Sequence, residues 1–176
     1  MKAGEVLLNF SRSRTAWAAL SLSSAALLGV ALYFQYYMQL APCVMCVYQR
    51  AALMGVILAG ILGWLSPRSP LLSHLALGAW LASSIQGAVL AYQHHQYQLN
   101  PSPFAQCTTV AEFPTWLALD SWLPSVFAPS GDCSAIGWSW MSVSMVQWLL
   151  AIFITQALLA LFFILVRVKA TLSAGI

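Results

Sequence analysis

Four cysteines stand in two pairs, Cys43/Cys46 and Cys107/Cys133, each in a segment that flanks long apolar runs and carries no lysine. Placed this way on the outer side of a membrane, they point to thiol and disulfide chemistry rather than packing. In Pro42-Cys43-Val44-Met45-Cys46 the i, i+3 spacing can close a small disulfide. A helix beginning here aims its unpaired backbone N–H groups at the sulfurs, which favours thiolate. Arg50 follows Cys46 by one helical turn, so its guanidinium shares the Cys46 face and can stabilise a thiolate or an oxygen anion on a bound ligand. The pair is built for electron exchange. Metal sites use the same Cys-x-x-Cys spacing, but zinc would need two more ligands and the remaining cysteines form no second such motif.

The second pair encloses a loop of about 25 residues, which a static bridge would stabilise by about 3 to 4 kcal/mol in the chain-entropy model. The alternative to that staple is an exchangeable disulfide, exposed enough for a soluble dithiol to attack. Pro101, Pro103, Pro129 and Gly131 surround the pair. They are expected to keep Cys107 and Cys133 out of a packed core.

Composition dictates the elements that must hold these groups. Hydrophobic residues are 61% of the chain and charged residues 6%, with mean hydropathy +0.80, more apolar surface than one water-soluble core can hide. The net charge of +3 is too small for a nucleic-acid footprint. Four apolar stretches, residues 16–36, 47–65, 71–92 and 145–166, reach the roughly 20 residues a spanning helix needs. The segment 113–127 is cut by Pro114, Asp120 and Pro124 and reads as a short interfacial helix, with Trp116, Leu119, Trp122, Leu123 and Val126 at helical spacing. The first span follows Lys2, Arg12 and Arg14 as a signal peptide would, but it is longer than a usual signal core and no cleavage motif precedes Cys43, so it reads as a retained helix.

The predicted fold is an all-α, four-helix antiparallel membrane bundle forming one domain over 1–176, with outer loops 37–46 and 93–144. Ala25, Ala26, Gly29, Gly55, Gly60 and Gly63 are expected to let helices approach closely. Lys2, Arg12, Arg14, Arg68, Arg167 and Lys169 flank the inner ends of the spans, while the outer connections hold only Arg50. The positive-inside rule puts both termini in the cytoplasm and the cysteines outside, in a compartment where disulfides persist.

The motifs Pro-Cys-Val-Met-Cys-Val-Tyr-Gln-Arg over 42–50, Tyr-Gln-His-His over 92–95, Pro-Ser-Pro-Phe-Ala-Gln-Cys over 101–107, Phe-Pro-Thr-Trp-Leu over 113–117 and Ser-Gly-Asp-Cys over 130–133 closely resemble the DsbB family of bacterial inner-membrane disulfide-forming proteins. The likeness runs over essentially the whole chain. It implies a relay in which a reduced DsbA-type periplasmic thiol oxidase attacks the Cys107/Cys133 disulfide at Cys107 and electrons pass to Cys43/Cys46. Cys46 then faces a ring from the membrane quinone pool, ubiquinone or, without oxygen, menaquinone. The resemblance also places that ring near Arg50 and His94, and more loosely near Met145. A DsbA-type couple lies at about −120 mV, so only a strong acceptor keeps it oxidised.

Each of these residues has a duller account. Arg50 at a membrane boundary can simply snorkel toward phosphates. His94 and His95 can be ordinary interfacial residues, one methionine in a membrane segment is usually packing, and Trp116, Trp122, Trp138, Trp140 and Trp148 read as an aromatic belt. Three other functions stay open: a relative serving a dedicated DsbA-like partner, a metal-binding membrane protein using the Cys-x-x-Cys with His94 or His95, and a scaffold stapled by two inert disulfides. No metal is expected, since the spans carry no acidic ligands of the kind a transport path usually shows.

Overall fold

The computed structural model describes residues 2–67, 69–101, 107–108 and 110–174. Arg68, used above for orientation, and residues 102–106 of the Pro-Ser-Pro-Phe-Ala-Gln-Cys motif lie outside the described residues. A short helix, α1 (Lys2–Ser11), precedes the first apolar run. Ser13 then starts α2 (Arg14–Tyr36) as its N-cap, its hydroxyl accepting the Ala16 N–H at 3.2 Å. Cys43 plays the same part for α3 (Val44–Leu65), its Sγ accepting the Cys46 N–H at 3.3 Å. Pro70 opens α4 (Pro70–Leu99) in the first turn, where a missing N–H costs nothing.

Four helices, α2, α3, α4 and α7 (Met145–Ala174), are long and apolar enough to cross a membrane. The protein is an all-α membrane protein. α3 packs on α2 and α4, and α4 packs on α7. The third span continues past residue 92 to Leu99, because no helix breaker intervenes before Asn100 and Pro101. At 1.5 Å per residue α4 is about 45 Å long, more than the apolar thickness of a bilayer, and His94 lies in its last two turns.

Close approach depends on particular glycines. A Cβ at Gly60 would meet Ser21 and the Trp17 carbonyl, one at Gly63 would enter the Trp17 indole, and one at Gly87 would enter the Phe153 ring. Gly55 meets Ser83 in the same way. Gly29 has nothing within 4 Å, and Ala25 and Ala26 are exposed. These three do not mediate packing, because α2 buries only Trp17 and Ser24 and turns that stripe away from the bundle.

The segment 113–127 is not one interfacial helix. Pro114 and Pro124 split it into a 3-10 turn at Thr115–Leu117 and two single helical turns, α5 (Leu119–Trp122) and α6 (Pro124–Phe127). Leu119 and Phe127 are buried, while Trp116 and Trp122 are exposed. A hairpin follows, with β1 (Ser139–Trp140) paired antiparallel to β2 (Val143–Ser144). Its two linking residues, Met141 and Ser142, have φ of 52° and 63°. This is the left-handed backbone that a two-residue hairpin turn requires.

At the end away from the cysteines, Arg167 is buried and donates to Ser11 Oγ at 3.1 Å, to the Ser11 carbonyl and to Ser73 Oγ. These bonds tie α1 and α4 to α7, and the ring of Phe10 lies 6.1 Å from that of Phe163.

Candidate functional site

The N-terminus of α3 carries the inner cysteine pair. Cys43 and Cys46 are free thiols with their Sγ atoms 3.0 Å apart, Cys43 donating. Cys43 is buried and Cys46 is half-buried. The Cys43 thiol is held above the usual thiol range, first because its S–H donates to Cys46, then through burial, then through the negative charge of Cys46. Cys43 is therefore the sulfur that keeps its proton, with Cys46 Sγ as the acceptor.

The outer pair is bridged, Cys107 to Cys133, with Cα atoms 6.2 Å apart. The expectation that prolines and glycine would keep this pair out of a core does not hold for Cys133, which is 1% exposed. Cys133 shares an apolar cluster with Cys43, Val44, Val47, Ala111, Leu119 and Phe127, and Cys46 and Cys107 pack against it. The reason is local. The N–H groups of Ser130 and Gly131 both donate to the Pro42 carbonyl, at 2.8 and 3.0 Å, and a Cβ at Gly131 would strike the Ala41 backbone. Beside Cys133, Asp132 accepts the Ser134 N–H and O–H, both at 2.9 Å, which holds its carboxyl below the usual carboxylate range.

A cavity of about 270 Å³ opens beside the inner pair, and Cys43, Cys46, Arg50, His94 and Met145 all line it. Phe34, Leu53, Trp138, Val146 and Leu149 supply apolar wall. Trp138 therefore faces this space, its ring 5.1 Å from that of Phe34, unlike the exposed Trp116, Trp122 and Trp140. A second hollow of about 210 Å³ continues outward between α2 and α7, sharing Ala31, Phe34, Trp138, Met145 and Leu149. α2 and α7 make no contact comparable to those of the other neighbouring spans, so the bundle is open to lipid on this side.

Arg50 is buried on α3 and donates Nη1 to Gln35 Oε1 at 2.5 Å and to the Val126 carbonyl at 2.7 Å, with Nη2 3.4 Å from the Ala31 carbonyl. All three acceptors are neutral, so its charge remains available to the cavity. His94 is buried on α4, with Nε2 3.4 Å from Cys43 Sγ and Nδ1 3.3 Å from Gln49 Nε2. Gln35 is a site residue that motif reading passed over, and Gln49 stands inside the motif over 42–50, which points to Arg50 rather than to His94 as its neighbour. Each is an uncharged polar group within an apolar run, a signal that marks function or pairing in a membrane segment.

A family model described as "Disulfide bond formation protein DsbB" matches residues 13–163. The chain belongs to the DsbB family. Curated relatives named "Disulfide bond formation protein B" agree with that placement. One from Shewanella denitrificans is 48% identical over 158 residues, covering 90% of each chain. Another from Shewanella frigidimarina is 46% identical over 164 residues, covering 93% of this chain and 97% of the relative. A third, from Yersinia pestis, is 50% identical over 150 residues, covering 85% of each. As a DsbB-family protein the chain is a disulfide-forming oxidoreductase of the membrane.

Proposed function

We propose that the chain oxidises a DsbA-type periplasmic thiol oxidase and passes the electrons through Cys107/Cys133 and Cys43/Cys46 to ubiquinone, or menaquinone, of the membrane pool. In this reading it is a single domain of the bacterial inner membrane, with both termini cytoplasmic and the cysteine-bearing end in the periplasm. One observation carries the proposal: both cysteine pairs pack in one apolar cluster beside a cavity that Cys46, Arg50, His94 and Met145 share.

Accessibility orders the steps. Cys107 is the less buried sulfur of the outer bridge, so a partner thiolate attacks there and Cys133 leaves as thiolate. A second partner thiol resolves the mixed disulfide, and the partner departs oxidised. Cys133, held beside Cys43 through the Pro42 carbonyl, then attacks the oxidised inner bridge at Cys43, and Cys46 leaves as thiolate toward the cavity. Closing Cys107 on Cys133 releases the inner pair as a dithiol. That final state, outer pair bridged and inner pair free, is the arrangement of the four sulfurs described above.

The cavity suits a quinone head. Its walls are apolar, its donors are the His94 imidazole and a guanidinium bonded, among the described residues, to neutral oxygens, and it leads to lipid between α2 and α7. Arg50 and His94 would hold the carbonyl oxygens, with Met145 against the ring. A quinone there supplies a two-electron acceptor that regenerates the Cys43–Cys46 bridge. Arg50 places positive charge on the same side of the cavity as Cys46, where low polarity strengthens its attraction for an anion on the sulfur or on a bound ring.

The test is quinone reduction by purified protein with a reduced DsbA-type dithiol as donor. Turnover in the native chain and none in Cys46→Ser or Cys107→Ser is expected. Absent turnover, with the outer bridge inert to the donor, would overturn the relay and favour a structural staple.

A further inference from the structure

The inner thiols and His94 form a donor set that disulfide exchange does not use as a set. Cys43 Sγ, Cys46 Sγ and His94 Nε2 lie within 4.8 Å of one another. We infer that the dithiol form of this site captures one thiophilic divalent cation of the zinc class through Cys43 Sγ, Cys46 Sγ and His94 Nε2, and is thereby locked out of disulfide formation. The inference rests on Cys43 and Cys46 cycling through a dithiol state, as proposed above.

Geometry supports it first. Zinc–sulfur bonds of about 2.3 Å and a zinc–nitrogen bond of about 2.0 Å at tetrahedral angles set sulfurs about 3.8 Å apart and sulfur and nitrogen about 3.5 Å apart. Cys43 Sγ already stands 3.4 Å from His94 Nε2, and the 3.0 Å between the sulfurs opens with a small rotation of the half-buried Cys46. The fourth position faces the cavity of about 270 Å³, which admits water or another small ligand. Three protein donors and one open position is the arrangement of an exchangeable site rather than a closed structural one.

An orphaned atom supports it second. Gln49 is 1% exposed, and its Oε1 has no hydrogen-bond partner among the described residues, while its Nε2 lies 3.3 Å from His94 Nδ1. A metal-bound imidazole needs an acceptor for its other N–H. A half-turn of the Gln49 amide puts Oε1 against Nδ1–H and frees the Nε2 lone pair for the cation. The charge balance also works: two thiolates offset the two charges of the ion, so Arg50 faces a neutral centre. Binding puts the cation in place of the thiol protons, which are released, and changes no oxidation state.

Cobalt(II) is the probe. Full-length protein is reduced, desalted without oxygen and titrated. The expected result is one Co²⁺ per chain with sulfur-to-cobalt charge-transfer absorption and the visible bands of a tetrahedral ion, retained when Cys107 and Cys133 are both serine. Affinity should fall at least about tenfold in His94→Ala and in Gln49→Leu, and the charge-transfer bands should vanish in Cys46→Ser. Zn²⁺ should displace Co²⁺ and stop turnover of the native protein, with a chelator restoring it. Absence of tetrahedral cobalt bands, or bands that survive Cys46→Ser or need Cys107, overturns the site. Turnover without cobalt binding removes this inference alone, and cobalt binding without turnover removes the relay alone.

Discussion

The Arg50 guanidinium donates to Gln35 Oε1 at 2.5 Å, an α3 cation held by a neutral amide of α2 at the wall of the cavity that also holds Cys46. The pairing orients the cation without neutralising it. Gln35→Glu would keep the shape and place a carboxylate against the charge. Hydrogen bonds to charged groups are worth roughly 1.5 to 3 kcal/mol, so ubiquinone-dependent turnover should fall at least about tenfold. The first exchange with a reduced donor dithiol, which the proposed relay places at Cys107, should keep its rate. Unchanged ubiquinone kinetics in the variant would remove Arg50 from the acceptor site.

The asymmetry of the inner pair is testable by titration. Cys43 is raised above the ordinary thiol range of about 8.5 chiefly by donating to Cys46, so in the reduced inner pair it stays neutral past the pH at which a free thiol ionises. Cys46→Ala removes that acceptor and its charge but leaves the burial. With the outer bridge intact, Cys43 is then the sole thiol, and the midpoint of its ultraviolet thiolate signal should move down. The sign follows for stability. A thiol raised by folding contributes stability below its unfolded pKa and loses it as pH rises toward the folded value. The reduced native chain should therefore go on losing thermal stability to higher pH than Cys46→Ala, whose loss ends at its lower folded midpoint. Coincident profiles would contradict the hydrogen bond.

Tyr48 anchors the outer loop to α3. Its hydroxyl accepts the Glu112 N–H at 2.8 Å, and its ring meets Phe113 edge-on at 5.4 Å. Tyr48→Phe keeps the ring contact and removes a hydrogen bond worth about 1 kcal/mol, so the loop should open roughly fivefold more often. Reduction of the Cys107–Cys133 bridge by glutathione should quicken by that factor with little change in thermal midpoint. An unchanged rate would place the rate-limiting opening elsewhere in the loop.

Packing of α4 on α7 depends on Gly87, where an added Cβ would enter the ring of fully buried Phe153. Gly87→Ala should destabilise the protein by about 1 to 3 kcal/mol through overpacking. Gly29→Ala, which meets nothing within 4 Å, should stay within about 0.5 kcal/mol of the native chain. Thermal unfolding of both variants in one detergent compares them directly, and a neutral Gly87→Ala would show that the interface relaxes.

The chain by itself determined the four spans, the start of α3 at Cys43 and the placing of Cys46 and Arg50 one turn apart on it. Spans follow from apolar length, and the thiols and Arg50 follow from helical spacing beside Pro42; both are local properties. The hairpin at residues 139–144 was not legible, because Met141 and Ser142 take a left-handed turn without the glycine or asparagine that announces one. Prolines in 113–127 were visible, yet whether they interrupt or end a helix depends on which side chains reach the core, and only Leu119 and Phe127 are buried there. Only the tertiary structure decided that Cys133 is buried against the Cys43 segment, that Gln35 and the Val126 carbonyl hold Arg50, and that Gln49 faces His94. Those relations join residues from different spans and loops, and no periodicity within one helix encodes them. They arise when glycine contacts along α3 and α4 set how closely and at what rotation the helices meet.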